Sequence, residues 1–240
     1  VLLDHDDYMP SFALITDARR HDHTVARRFT LKPGSIIAFD RAYNDYTLFS
    51  QWTQNGIYFV TRLKKNAAYH IVENRPIPQN RAILADQIVE LTGHNATEKC
   101  PHQLRRVIVW DDANNRMIEL LTNHLGFGAS TIADIYKDRW EIEIFFKTLK
   151  QHLKVKTFIG TSENALRIQI WTALIALLLL KYLHHLSTCG WSMSNLATML
   201  RLNLFTYRDL RKWLDDPYGQ PPTPAVIQQK LPGFGQPIAG

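Results

Sequence analysis

Cysteine is scarce: only Cys100 and Cys189 occur, far apart and without CxxC spacing. That excludes a disulfide-stapled scaffold and a four-cysteine zinc site, and the pair reads as reduced thiols in a cytoplasmic protein. Long apolar runs are lacking too. The longest, Ile170 to Leu180, ends at Lys181. It falls short of the roughly 18 apolar residues a membrane span needs, so no membrane partner is expected. No signal-peptide pattern opens the chain, and no repeat period is visible. Proline is thin through most of the sequence, since six of the eleven fall from Pro217 onward. The segment 217–240 is therefore expected to be a mostly unstructured tail. Acid is in deficit: 28 Lys and Arg against 22 Asp and Glu give a net charge of +6 and a pI near 9.3. A basic balance favours a polyanionic partner, most simply nucleic acid.

What is present suits a globular protein. The chain has 240 residues, 45% of them hydrophobic and 11% aromatic, enough for one domain or one domain with an insertion. The longest periodic stretch without Gly or Pro is Ser130 to Leu153. It reads as one helix, with Ser130 as N-cap and Asp134 acidic near its first turn. At about 100° per residue, Arg139, Glu143, Lys147 and Lys150 fall at about 300°, 340°, 20° and 320° from Tyr136. One carboxylate thus sits among a tyrosine and three cations on one stripe. The neighbouring stripe carries Ile135, Ile142, Phe145, Phe146, Leu149 and Leu153. Such a helix, taken alone, is more often a core-packed element with ordinary i,i+4 ion pairs.

A second carboxylate stands at the end of a buried strand. Ser35 to Phe39 reads SIIAF, and Asp40 follows. In open α/β sheets ligand and catalytic groups collect at the carboxyl ends of strands. Next come Arg41-Ala42-Tyr43 and Asp45-Tyr46, with Asp45 expected to cap a helix Tyr46 to Gln54 that Gly56 ends. Ile57 to Leu63 is a further buried strand. From about residue 65 to 126 short strand-like runs alternate with turn chemistry: Tyr69 to Val72, Asp86 to Leu91, Gln103 to Trp110 and Arg116 to Thr122. Beyond the Glu143 helix, Ser162 to Leu186 is apolar nearly all round and is expected to be packed on several sides. Residues 191–216 suggest one or two small helices.

Other polar groups read as local structure. Asp4, Asp6 and Asp7 belong to a turn between two short strands, Val1 to Asp4 and Ser11 to Thr16. His21 and His23 open a short helix, His21 to Phe29, with Asp22 as N-cap, and diverge too far to share a metal. Asp111 and Asp112 belong to a hairpin turn, and Trp110 to a buried strand.

The spacing Tyr136-x2-Arg139-x3-Glu143-x6-Lys150 resembles the Tyr-Arg-Glu-Lys signature of insertion-sequence transposases of the IS-four family, which are DDE enzymes. The apolar strand followed by Asp40-x-x-Tyr43 resembles that family's second-carboxylate block. The resemblance covers roughly residues 1–190. It implies an α/β fold: an RNase H-like core, a mixed sheet with flanking helices, carrying a β-rich insertion before the catalytic-Glu helix. The expected division is residues 1–64 and 127–190 for the core, 65–126 for the insertion, 191–216 for small C-terminal helices and 217–240 for the tail.

It also implies roles. Asp40 and Glu143 would be catalytic and hold Mg²⁺ or Mn²⁺; Tyr136, Arg139, Lys147 and Lys150 would contact DNA; Tyr43 would be the motif partner of Asp40. The expected partners are double-stranded DNA, as transposon ends and target, and a second copy in a homodimer of the full-length protein. The expected location is the bacterial cytoplasm, at the nucleoid when bound to DNA. The family's first catalytic Asp lies upstream of the segment matching Val1 to Asp4, so an N-terminally truncated fragment, inactive alone, is expected. A non-catalytic DNA-binding remnant and an RNase H-like nuclease are the alternatives.

Overall fold

The computed structural model describes residues 1–6, 8–15, 25–79, 82–93, 95–152, 160 and 162–219. The chain divides into two compact units, Val1–Trp171 and Thr172–Gly240.

The first unit is organised by a six-stranded sheet in the order β3-β4-β8-β7-β6-β5. Its strands are β3 (Ile36–Ala38), β4 (Tyr58–Arg62), β5 (Tyr69–Asn74), β6 (Ile83–Leu91), β7 (Leu104–Asp111) and β8 (Arg116–Thr122). Only β3 and β4 are parallel, with Ala38 opposite Val60; the remaining pairs are antiparallel. The strands between residues 65 and 126 therefore continue the same sheet, through the β4–β8 pairing. A separate hairpin joins β1 (Leu2–Leu3) to β2 (Pro10–Phe12). Of the expected helix His21 to Phe29, residues 21–24, His21 and His23 among them, lie outside the described residues.

Alternation along the strands builds a core on each face of the sheet. On one face Phe59 and Leu121 meet helix α1 (Tyr46–Gln54) through Leu48, Phe49 and Trp52. Phe49 stacks on Phe59 at 4.2 Å between ring centroids. Deleting either buried ring would cost about 3–5 kcal/mol. A short helix, α2 (Ala96–Lys99), adds Ala96 to this side. Asp45 caps α1 as its sequence position requires, accepting from the Thr47 and Leu48 amides, and Arg27 closes on its other oxygen. On the opposite face Val60, Ile83, Val107 and Leu120 are covered by helix α3 (Ala129–Asp138) through Ala129, Ile132 and Tyr136.

The single helix expected over 130–153 is two. After α3 the chain turns at Arg139-Trp140 and resumes as α4 (Glu141–His152). The Arg139 and Trp140 amides reach back only three residues, to Tyr136 O and Lys137 O, a tightening of the 3-10 kind. The cause is a change of buried side. In α3 the buried residues are Ala129, Ile132 and Tyr136; in α4 they are Phe145 and Leu149. On an unbroken helix Tyr136 and Phe145 would lie about 180° apart. The break lets both halves bury their own stripe. The N-cap is Gly128 rather than Ser130, without a side-chain cap or an acid in the first turn. Ala129 and Ile132, both buried, accompany a helix start two residues earlier than the expected cap.

Helix α5 (Glu163–Leu186) starts at Ser162, whose hydroxyl accepts from the Ala165 amide. It was expected to be covered on several sides, but among the described residues it is covered on one. Ala173, Leu174, Leu177 and Leu180 are buried, while Ile168, Trp171, Ile175, Leu179 and Tyr182 are exposed. Its length and apolar composition alone would allow it to cross a membrane. In the second unit α6 (Met193–Asn203) is capped by Ser192 and α7 (Leu210–Asp215) by Asp209. Leu180, Leu196, Trp213 and Leu214 form the core there. Most of the expected tail, 220–240, lies outside the described residues.

Candidate active site

The parallel pair β3–β4 brings two strand ends out side by side. The Phe39 amide still donates to Val60 O at 3.2 Å, so pairing runs to the residue before Asp40. Asp40 then leaves the strand and caps a 3-10 turn, Arg41–Tyr43: its Oδ1 accepts from the Ala42 amide at 3.1 Å. Its Oδ2 has no protein donor among the described residues.

Asn44 fastens this turn to the end of β4. It is buried, its Nδ2 donates to Arg62 O at 2.9 Å, and its Oδ1 accepts from the Thr61 hydroxyl at 2.8 Å. Lys64 Nζ donates to Asn44 O at 3.1 Å. One buried amide thus fixes where Asp40 sits relative to Arg62 and Lys64.

Helix α3 supplies the other wall. Tyr136 is 8% exposed and packed with Val60 and Ile132; among the described residues its hydroxyl makes no well-formed hydrogen bond, and the Arg139 guanidinium is the donor nearest to giving one. Burial pushes its phenol pKa up; Arg139 and Arg62 pull it down, and the Asp40 carboxylate pushes it up again. Those three charged groups therefore share the phenol's surroundings. The Arg139 guanidinium lies 5.4 Å from the Tyr136 ring centroid, a cation–π contact. Arg139 Nη1 donates to Glu143 Oε1 at 3.3 Å, and its buried Nε has no partner among the described residues. Arg139 thus joins Tyr136 to Glu143 across the α3–α4 break, while the Asp40 carboxylate acts on the same phenol through its charge.

Within α4, regular helical spacing keeps Lys147 and Lys150 on the face of Glu143, within about 60° of arc. Both are exposed. Tyr43 is not brought to this group; it packs against the core on the other face of the sheet. Asp4 and Asp6 engage each other in a turn, Asp6 N to Asp4 Oδ1 at 3.2 Å. Sequence reasoning missed Arg62 and Asn44. Arg62 ends a strand whose partner becomes visible only once β3 and β4 are paired, and Asn44 sat unremarked between two residues that were noticed.

A family model for the transposase DDE domain matches residues 1–179. The chain belongs to this family. A relative in Sinorhizobium fredii, named as the transposase y4zB, is 33% identical over 214 residues, which is 88% of this chain and 60% of that protein. One in Geobacillus stearothermophilus, named as a transposase for insertion sequence element IS5377, is 33% identical over 75% of this chain and 48% of its own length. One in Synechocystis, named as a transposase for insertion sequence element IS4SA, is 31% identical over 63% of this chain and 49% of its own length. The chain thus spans between about half and 60% of these relatives. In this DDE domain the six-stranded mixed sheet, flanked by helices on both faces, is the α/β, RNase H-like architecture that the sequence resemblance implied.

The family's chemistry runs on divalent metal. Among the described residues no group of three or more His, Cys, Asp and Glu is gathered to hold one. Two carboxylates with free oxygens still suit Mg²⁺ or Mn²⁺, hard ions that take oxygen ligands; Mg²⁺ in particular retains several waters.

Proposed function

We propose that the chain is the catalytic portion of a cut-and-paste DNA transposase, with Asp40 and Glu143 as two of its metal-holding carboxylates. The observation that supports this reading is the pair of buried atoms without a well-formed hydrogen bond among the described residues, Tyr136 Oη and Arg139 Nε, in a phenol's surroundings that the Asp40 carboxylate reaches and on an arginine that pairs with Glu143. A buried donor without a partner costs about 1–3 kcal/mol, and a DNA phosphate oxygen arriving there would satisfy it.

The residues divide the work. Asp40 and Glu143 would hold Mg²⁺ or Mn²⁺, which when bound neutralises charge on the attacking and leaving oxygens of a phosphodiester. Tyr136 and Arg139 would orient the phosphate, and Lys147 and Lys150 would hold the backbone further along α4. Arg139 must release Glu143 for this, an i,i+4 pair at 3.3 Å in which Glu143 is exposed and Arg139 half-buried. Tyr43 would brace the turn that carries Asp40. The substrates are double-stranded transposon ends and target DNA, the full-length assembly a homodimer, and the compartment the bacterial cytoplasm.

The test needs no strand transfer. Mn²⁺ titrated into the purified chain should bind weakly, read by electron paramagnetic resonance of the free ion. Asp40→Asn and Glu143→Gln should each abolish that binding. Unchanged Mn²⁺ uptake in both variants would sink the assignment.

A further inference from the structure

An open groove of about 530 Å³ lies beside Asp40, lined by Asp40, Arg41, Ala42, Lys64, Lys65 and Asn66. None of its walls comes from α3 or α4. It exists because β3 and β4 run parallel: both strands end at the same edge, and the turns that follow them face each other across it.

Its charge is one-sided. Three cations face a single carboxylate, which divalent metal would neutralise. Arg41 and Lys65 are exposed and have no carboxylate partner among the described residues. Lys64 is held in place: its Nζ donates to Asn44 O at 3.1 Å and lies 6.0 Å from the Tyr46 ring centroid. One carbonyl occupies one of three ammonium protons, so the others remain available. The lining offers no aromatic or large apolar side chain to grip a small organic ligand. An open, cation-lined trough suits an extended polyanion.

We infer that this groove is a backbone-phosphate site separate from the α3–α4 cations, taking the DNA phosphates next to the one that Tyr136 and Arg139 would orient, with Arg41, Lys64 and Lys65 as contacts. The inference rests on the reading of Asp40 as a carboxylate of the cleavage centre. Duplex and single-stranded DNA share the recognised group, and the test separates them.

The purified chain is titrated with a fluorescent duplex, and with one of its strands, over a range of salt and without divalent metal. Lys64→Ala/Lys65→Ala should lower affinity about tenfold at fixed salt and make the plot of log affinity against log salt shallower by about one per lysine. Lys99→Ala, on exposed α2, should change neither. Should the double variant fail to fold, Lys65→Glu carries the test, because that side chain is exposed and has no ion-pair partner among the described residues. A loss confined to the duplex assigns the groove to double-stranded DNA; a loss on both assigns it to the strand itself. Wild-type affinity and slope on both DNAs would overturn the inference. Asp40→Asn in the same assay should bind DNA as tightly as the parent or tighter. If that variant also keeps its Mn²⁺ uptake while the lysine variants lose DNA, the groove stands and the cleavage-centre reading falls.

Discussion

Arg105 and Asp86 form a bidentate ion pair inside the sheet, with Nε to Oδ1 and Nη2 to Oδ2 both at 2.7 Å. Both residues are buried, on neighbouring strands β7 and β6. The remaining nitrogen, Nη1, donates to Phe127 O and to His124 O, in the loop that leads into α3. The pair therefore ties the centre of the sheet to the segment that aims Tyr136. Removing one partner strands the other charge in the interior, so Asp86→Ala or Arg105→Ala should cost about 3–5 kcal/mol in urea unfolding. An Asp86→Leu/Arg105→Met double variant should recover most of that loss. A single variant as stable as the parent would show that the pair is dispensable.

His124 supports the same loop in its neutral form. Its Nδ1 accepts from the Gly126 and Phe127 amides at 3.3 and 3.1 Å, while its ring stacks on Phe127 at 3.7 Å between centroids. Burial, and then the Arg105 charge, hold its pKa below the usual histidine value. The unfolded chain therefore takes up a proton first as pH falls. The stabilisation is complete above about pH 6.5 and is lost as pH drops through the folded pKa. The urea midpoint should fall between pH 7.5 and 5, and His124→Asn should flatten that part of the profile. Parallel profiles for the two proteins would contradict this.

Tyr136→Phe separates function from stability. Among the described residues the hydroxyl is buried without a well-formed hydrogen bond, so deleting it should leave the melting temperature unchanged or raise stability by about 1 kcal/mol. The same change should weaken DNA binding, because the proposed phosphate contact is gone. A variant that loses stability would mean the hydroxyl is satisfied within the fold and is not waiting for a ligand.

The sequence announced what local chemistry governs. Asp45 capped α1 because an Asp ahead of an apolar run can hardly do otherwise, and Asp40 followed a strand as expected, but the strand is an edge one with Ile36 exposed and only Ile37 buried rather than a buried one. The Arg139–Glu143 contact followed from i,i+4 spacing. The break at Arg139-Trp140 was missed for a physical reason: the helical wheel assumed one buried stripe, and Ile132 with Tyr136 was not weighed as a second stripe on another side. Arg105 and Asp86 looked like ordinary strand charges, since nothing local reveals that two strands nineteen residues apart pair them in the interior. Arg62 and the cationic groove escaped for the same reason: they exist only through the parallel pairing of β3 and β4.

That pairing also makes Asn44 the most informative position to change. Its side chain makes two hydrogen bonds across the β3–β4 junction, to Arg62 O and Thr61 Oγ1, and its carbonyl accepts from Lys64. Asn44→Ala removes the first two and leaves a buried hydroxyl and a carbonyl unpaired, a cost of about 2–3 kcal/mol. Asn44→Asp keeps the acceptor for Thr61 but loses the donor and buries a charge, so it should be at least as costly. Because the amide spaces Asp40 from Lys64, Asn44→Ala should also weaken Mn²⁺ uptake and flatten the salt dependence of DNA binding together, though it removes neither a carboxylate nor a cation. Conditions are chosen where circular dichroism shows the variant fully folded. Loss of both signals there would show that the carboxylate and the groove depend on one positioning residue. Retention of both in a folded Asn44→Ala would show that the two strand ends hold their places without it.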